Sequence, residues 1–179
     1  MNETPSLPRW YALHVHTRSE KMAAAGLDAR VEQVFCPVRV ERRAWSDRIQ
    51  RVEVPLFPGY LFVRTTLTPQ QRVALLKVAH VVDVVGRKAG KAEIASAIPD
   101  VEMASLINLV AAQRALDPVD VLVPGVCVVI GQGPLRGVQG VVERGADGFR
   151  RLVVQVALLG RGVRTVLSAD DVLVEKHAA

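Results

Sequence analysis

Cysteine and aromatic residues are scarce in this chain of 179 residues. Only Cys36 and Cys127 are present, they form no Cys-x-x-Cys pair, and aromatic residues make up 4% of the sequence. A disulfide scaffold or structural zinc site is therefore not expected, and a reducing, cytoplasmic setting is. Both cysteines fall in apolar segments, which favours core positions. Because no run approaches 18 apolar residues, and residues 1–8 lack the layout of a signal peptide, no membrane association is expected.

Signatures of catalysis and of metal binding are also missing. The sequence holds no Ser-His-Asp arrangement, paired carboxylates, phosphate-binding loop or dinucleotide fingerprint, so neither an enzyme nor a cofactor is expected. His14 and His16 would leave the same face of a strand, as two ligands of a metal would. Two imidazoles without a third ligand nearby rarely hold a metal, so no metal site is expected.

The basic charge is concentrated in one segment. Lys and Arg exceed Asp and Glu by five over the whole chain. Residues 39–52 alone carry a net charge of +3, which equals the entire excess of residues 1–120. Such a local positive patch favours an anionic partner. The alternative is a solvated arginine-rich ribbon that resists edge-to-edge aggregation.

The first two-thirds of the chain predicts elements in the order β-α-β-β-β-α-β-α. Alternating apolar residues indicate the strands, and Arg39–Val54 reads as a protruding hairpin. Thr17 and Glu20 fit a capping box before one helix, and Thr68 with Pro69 fits the start of a second. This order predicts an α+β fold in which helices cover an antiparallel sheet.

Beyond residue 117 the character of the sequence changes. Short Val-rich runs separated by glycine-containing turns predict a small barrel of five strands. These runs are Val126–Ile130, Val138–Glu143, Leu152–Leu158, Val163–Leu167 and Val172–Val174. We therefore predict two domains, residues 1–117 and residues 118–179.

Two segments resemble the NusG family. The first is Trp10–Leu13 together with Pro55-Leu-Phe-Pro-Gly-Tyr-Leu-Phe-Val63, and the second is Gly133-Pro-Leu-Arg-Gly-Val-Gln-Gly-Val-Val142, which is similar to a KOW motif. The resemblance implies an N-terminal domain of the NGN type followed by an SH3-like KOW barrel. It also implies a monomeric, non-enzymatic transcription elongation factor whose partner is RNA polymerase.

The same resemblance implies how the polymerase is bound. The apolar cavity that grips the polymerase clamp would correspond to four residues, namely His14, Tyr60, Phe62 and Val84. Contact with the polymerase gate loop would fall on Gln71 and Arg72. From pattern alone, Tyr60 and Phe62 could instead simply pack on a helix, because they lie two apart on one strand.

The hairpin resembles that of specialised paralogues, the RfaH-like and UpxY-like antiterminators, in the stretch Arg42–Arg48. Such factors contact upstream DNA or the non-template strand. The residues that this likeness assigns to nucleic acid are His16, Thr17, Arg18, Arg42, Arg43, Trp45 and Arg48. Phosphate charge and base stacking would supply the binding.

The resemblance assigns to the KOW module a surface that recruits the ribosomal protein NusE or the termination factor Rho. This surface consists of Leu135, Val138, Leu158, Leu159 and Arg161. The alternative for Val138 is that it fills the barrel. The abundance of Val favours strands, so we predict a stable barrel rather than the helical pair that RfaH can form.

Two alternative functions stay open at this stage. A housekeeping NusG would act generally in elongation and termination. A ribosome-associated KOW protein that binds RNA would also explain the basic charge and the barrel, but not the Pro-Leu-Phe-Pro-Gly-Tyr strand.

Overall fold

The computed structural model describes residues 7–45, 48–89, 92–112, 114–119, 124–125, 127–168 and 171–175. Residues up to Pro37 and Phe57–Asp100 form one compact unit, and Val38–Leu56 with the chain from Val101 onwards form a second. The predicted fold class is confirmed, since an N-terminal sheet with helices precedes a β-rich C-terminal part. The predicted boundary near residue 117 stays a prediction, because these units group the hairpin and the last helix with the C-terminal strands.

The elements of the first part of the chain are β1 (Arg9–Val15), α1 (Glu20–Leu27), β2 (Gln33–Phe35), β3 (Val38–Trp45), β4 (Arg48–Pro55), β5 (Tyr60–Thr65), α2 (Pro69–Leu76), β6 (Val81–Val84), β7 (Gly86–Ala89), β8 (Ala92–Ala95) and α3 (Asp100–Ala111). The remaining elements are β9 (Asp117–Val119), β10 (Cys127–Gln132), β11 (Gln139–Arg144), β12 (Arg150–Val156), a short 3-10 helix (Ala157–Leu159), β13 (Arg161–Val166) and β14 (Val172–Glu175).

The first unit is built on a four-stranded antiparallel sheet in the order β2-β5-β1-β6. Side chains alternate between its faces, so that Leu13, Leu61 and Val84 share one face through the pairs Leu13↔Leu61 and Leu13↔Val84. They join a buried cluster with Leu27 of α1 and Leu75 of α2. Burying these apolar side chains between sheet and helices is what fixes the register.

Helices α1 and α2 begin in different ways. Thr68 caps α2 as predicted, because its Oγ1 accepts the N–H of Gln71 at 3.1 Å and Pro69 occupies the first turn. The predicted capping box is wrong. The residue before α1 is Ser19, which makes no side-chain cap, and Glu20 is turned into the protein towards Gly59.

The second unit contains a six-stranded antiparallel sheet in the order β14-β10-β11-β12-β13-β9. Its five consecutive strands β10 to β14 match the five predicted runs, and β9 adds a sixth that the sequence did not predict. Helix α3 packs against these strands, with Ser105 Oγ accepting the N–H of Gln139 at 2.9 Å. Glu102 Oε2 accepts the N–H of Ala157 at 3.2 Å.

Three further details differ from the predictions. Between α1 and β4 the predicted order has one strand where the structure has two, β2 and β3, because Cys36 and Pro37 interrupt the pairing. Between β6 and α3 the structure has the two-stranded ribbon β7–β8, which the predicted order lacks. Cys127 is exposed and Cys36 is half-buried, so the predicted core position is wrong for Cys127. No helix in the described ranges has the length and hydropathy needed to cross a membrane.

Candidate functional site

His14 and Tyr60 form an aromatic pair at one end of the sheet, on the face opposite the helix-covered core. The two residues are direct partners across β1 and β5, and their rings lie 5.5 Å apart with an angle of 33° between the ring planes. His14 is exposed and Tyr60 is half-buried. This pair is therefore accessible to a partner.

The backbone beneath this pair is held by a buried carboxylate. Glu20 is 2% exposed, and its Oε1 accepts the N–H of Gly59 at 2.8 Å. The carbonyl of Gly59 in turn accepts the N–H of Val15 at 2.8 Å. Gly59 has φ of +80°, a conformation that favours glycine. These contacts fix the direction in which the chain enters β5 at Tyr60.

Phe62 and Val84 do not contribute to an accessible surface. Phe62 is fully buried, with ring centroids 5.5 Å from Phe57 and 6.4 Å from Phe35. It lies on the same face of the sheet as Tyr60, in a part of that face that other side chains cover. Val84 is fully buried on the opposite face, since it pairs with Leu13 rather than with His14. Both assignments to the clamp contact therefore need correction in this structure.

Asp83 takes the place beside His14 that was expected for Val84. The register pairs His14 with Asp83, whose Oδ1 accepts from Arg72 Nη2 at 2.9 Å and from the N–H of Val84 at 2.7 Å. The sequence did not single out Asp83. Only the alternation of β6 could have indicated it, and a strand of four residues carries too little pattern.

Gln71 and Arg72 both make bonds within the first unit. Gln71 Nε2 donates to the carbonyl of Arg30 at 2.6 Å and to Thr65 Oγ1 at 3.2 Å. Arg72 is held by Asp83 at 2.9 Å. Both side chains are half-buried, so each keeps part of its surface exposed.

His16, Thr17 and Arg18 are all exposed in the tight turn between β1 and α1. The N–H of His16 donates to the carbonyl of His80 at 2.9 Å, and the rings of these two histidines lie 6.2 Å apart. Arg18 and His80 have φ of +70° and +71°, values that are unusual for residues other than glycine. One of these two residues, His80, thus accepts the bond from His16, and the other, Arg18, lies two positions after His16 in the turn.

The hairpin β3–β4 separates its arginines onto two faces. Arg42 pairs directly with Arg51, whereas Arg43 pairs with Gln50 on the other face. On that second face Glu41 lies between two arginines and bonds to Arg39 Nη2 at 2.7 Å and to Arg43 Nη2 at 3.2 Å. The charge of Arg43 is therefore partly neutralised. Trp45 pairs with Arg48 in the backbone register, and their side chains fall outside the described part.

The KOW turn has the geometry that its glycines predict. Gly133 and Gly137 have φ of +93° and +83°, and the N–H of Gly137 closes the turn on the carbonyl of Ile130 at 2.7 Å. At Gly140 an added Cβ would lie 2.5 Å from the carbonyl oxygen of Val153. Glycine there is required by the close approach of β11 and β12.

Of the expected KOW partner surface, only part is accessible. Leu135 and Val138 are fully buried, so they cannot contact a partner in this structure. Leu158, Leu159 and Arg161, around the short 3-10 helix, are half-buried and reach the surface. The described residues contain no group of three or more His, Cys, Asp and Glu side chains arranged to hold a metal ion.

Comparisons with known proteins give the family of this chain. The family model described as "Transcription termination factor nusG" matches residues 8–107, more than half of the chain. The transcription termination/antitermination protein NusG of Staphylococcus carnosus is 26% identical over 182 residues, covering 96% of this chain and 98% of that protein. Its namesake from Escherichia coli K12 is 26% identical over 184 residues with the same coverage. A solved structure of Thermotoga maritima NusG, 20% identical, covers 94% of this chain and 97% of its own with a TM-score of 0.54, which shows a shared fold. The chain therefore belongs to the NusG family of transcription termination/antitermination factors.

Proposed function

We propose that this chain binds the clamp of RNA polymerase through the His14–Tyr60 pair and acts as an elongation and antitermination factor. The observation that carries the proposal is this pair, whose rings lie 5.5 Å apart over a backbone fixed by Gly59 and Glu20. Aromatic side chains bury a large area with few rotatable bonds, so a rigid aromatic pair suits a binding hot spot.

The polymerase gate loop would be contacted by Gln71 and Arg72. The ion pair between Arg72 and Asp83, at 2.9 Å, supports this assignment because Asp83 is the cross-strand partner of His14. Arg72 and His14 therefore share Asp83 as a neighbour on the first unit. A factor that contacts both the clamp and the gate loop, on either side of the polymerase cleft, stabilises the closed clamp. The population of polymerase then shifts towards this closed state, which disfavours pausing. No covalent bond is made or broken.

Nucleic acid would be contacted by two elements. The exposed turn of His16, Thr17 and Arg18 would meet the non-template strand, and the positive φ of Arg18 supports a functional role because such strain persists mainly at functional sites. The hairpin that carries Arg42, Arg43, Trp45 and Arg48 would lie against upstream DNA.

We further assign the chain to the specialised RfaH-like or UpxY-like paralogues, on the sequence of the hairpin. In this role the surface of Leu158, Leu159 and Arg161 would recruit the ribosomal protein NusE or Rho. The accessible part of that surface is apolar with one cation at its edge, which suits a protein partner.

The test compares Tyr60→Ala with Phe149→Ala, a matched change at an exposed aromatic residue of the second unit. In a transcription assay with purified polymerase, the unmodified chain should shorten pauses, and Tyr60→Ala should lose most of this effect. Loss of a hot spot of about 2 kcal/mol corresponds to roughly thirty-fold weaker binding. Phe149→Ala should behave like the unmodified chain.

Two outcomes of the same assay decide between the functions. Equal activity of Tyr60→Ala and Phe149→Ala would contradict the proposed clamp contact. Adding Rho separates the two subfamilies, since a specialised antiterminator should reduce termination by Rho. A housekeeping factor should increase it, and that result would contradict the specialised assignment.

A further inference from the structure

A cleft of about 600 Å³ lies in the second unit between helix α3 and the strands β11 and β12. Its apolar walls include Val101 of α3, Val141 of β11 and Val153 of β12. Val153 is fully buried and Val101 is 45% exposed, so the cleft reaches from the protein surface down to the sheet. Sites for small molecules are concave and mostly apolar, with volumes of about 300–1,000 Å³. The size and the lining of this cleft are therefore those of a small-molecule site.

Glu102 of α3 supplies the one charge found among the described residues that line the cleft. It is half-buried, and its Oε2 accepts the N–H of Ala157 at 3.2 Å. Its other oxygen, Oε1, has no hydrogen-bond or ion-pair partner in the part of the chain that the structure describes. One carboxylate oxygen is thus held by the backbone, and the other is available to a ligand.

The surroundings of Glu102 compensate its negative charge incompletely. Burial raises the pKa of Glu102 above its ordinary value, and the hydrogen bond from Ala157 offsets this only in part. A nearby cation stabilises a partly buried carboxylate, because an opposite charge favours the ionised form. The hydroxyl and amide side chains of the cleft, Ser105, Gln139 and Gln155, carry no charge. The cleft therefore complements a ligand with an apolar body and one positive charge.

We propose that this cleft binds a small amphipathic amine, whose apolar body packs on the valines and whose ammonium group donates to Glu102 Oε1. An ammonium is a compact charge, whereas a guanidinium is a planar fork that pairs best with both oxygens of a carboxylate. Since Oε2 already accepts the N–H of Ala157, the remaining oxygen suits an ammonium. None of the residues assigned to polymerase, nucleic acid or the KOW partners lines the cleft, so this inference does not depend on the proposed function.

Glu102 also has a structural role, because its bond to Ala157 joins α3 to the short 3-10 helix. The substitution Glu102→Gln separates this role from ligand binding. The glutamine side chain keeps an oxygen that can accept the N–H of Ala157, but it carries no negative charge. The fold should therefore be retained in Glu102→Gln, with a melting temperature close to that of the unmodified chain.

The test titrates the full chain with three probes that share a phenylethyl group and follows binding by NMR. The probes are phenethylamine, the neutral phenethyl alcohol and the anionic phenylpropanoate, and the amine should bind most tightly. Glu102→Gln should weaken binding of the amine about tenfold, because a charge-assisted hydrogen bond is lost, and should change binding of the alcohol by less than about twofold. Asp117→Asn removes an exposed carboxylate of the same unit outside the cleft and should change neither.

Cys127 reports where the probe binds, because it is an exposed residue of the cleft wall. Phenethylamine should slow the alkylation of Cys127 by iodoacetamide, measured by mass spectrometry. Alkylation of Cys36, which belongs to the first unit, should be unchanged. Val101→Trp should fill the cleft from an exposed position of α3, so both amine binding and the protection of Cys127 should be lost.

Amine binding and protection of Cys127 that both fall in Glu102→Gln, with the alcohol unaffected, would support the proposal. Equal affinity for the amine and the alcohol would overturn it, as would full amine binding in Glu102→Gln or binding of none of the three probes. Protection of Cys127 by core polymerase or by ribosomal subunits, without binding of the amine, would also overturn it, because the cleft would then belong to a protein partner.

Discussion

Glu20 is the residue on which the geometry of the aromatic pair depends. It is 2% exposed, and its Oε1 accepts the N–H of Gly59, the residue before Tyr60. A carboxylate out of water is costly unless it is well paired, and the backbone N–H supplies a charge-assisted hydrogen bond. The same bond satisfies a buried donor of the turn. One side chain thus couples the start of α1 to the start of β5.

Glu20→Ala should therefore lower the free energy of unfolding by about 2 kcal/mol, because it leaves the buried N–H of Gly59 without an acceptor. Urea unfolding measures the change. Glu32→Ala removes an exposed carboxylate of the same unit and should change stability by less than about 0.5 kcal/mol. Equal effects of the two substitutions would show that Glu20 does not hold the turn.

Among the individual residues of the candidate site, some could be predicted from the sequence and others could not. Tyr60 and Phe62 share a face as their spacing predicts, but the burial of Phe62 also depends on Phe35, which belongs to a distant strand of the chain. Val84 and Asp83 show how the strand register decides which side chain lies beside His14. A shift of one residue exchanges the two faces of a strand, and no local pattern sets the register of so short an element. The inward turn of Glu20 depends likewise on a neighbour 39 positions along the chain.

The start of β14 depends on an ion pair with a buried member. The side chain of Asp171 has no exposure, and it accepts from Arg114 and from both the N–H and the hydroxyl of Ser168. Burial alone would raise the pKa of Asp171, but the bonds from Ser168 and Arg114 outweigh it and hold the pKa below its ordinary value. This cluster joins the segment after α3 to the loop before β14.

The lowered pKa fixes the pH dependence of stability. The ion pair stabilises the fold above the unfolded pKa of Asp171, near 3.9, and this contribution is lost as pH falls through the lower folded value. Asp171→Asn should therefore lower the free energy of unfolding by about 3 kcal/mol at neutral pH, because it leaves Arg114 without its partner. Urea unfolding at several pH values should show this difference shrinking below about pH 4.

Asp28→Asn, at an exposed position after α1, is the matched control and should leave stability nearly unchanged across the same pH range. A difference between Asp171→Asn and the unmodified chain that stays constant down to strong acid would contradict the account of Asp171.

Elements with strong local signals were predictable from the sequence. The cap of α2 by Thr68 and Pro69 follows from local chemistry alone, and the five Val-rich runs of the barrel correspond to β10 to β14. The ribbon β7–β8 was not predicted, because strands of four residues beside several glycines and lysines lack a clear alternation. The two faces of the hairpin follow from a period of two, yet only the pairing in the structure shows that Arg42 lies opposite Arg51.

On the scale of the whole molecule, the chain joins an N-terminal sheet to a β-rich C-terminal part, as the two family-like segments imply. The match to the NusG model over residues 8–107 and the relatives that cover 96% of the chain agree with this order. The specialised role, the polymerase contact and the recruitment of NusE or Rho are proposals that the family alone does not decide. These properties depend on a few surface side chains, which differ between proteins that share one fold.

The binding of the full chain to core RNA polymerase, measured beside its binding to ribosomal subunits, decides whether the chain acts through the polymerase. We expect polymerase to retain the unmodified chain and Phe149→Ala but not Tyr60→Ala, and we expect no comparable retention by ribosomal subunits. Binding to ribosomal subunits alone, or binding to polymerase that does not depend on Tyr60, would contradict it.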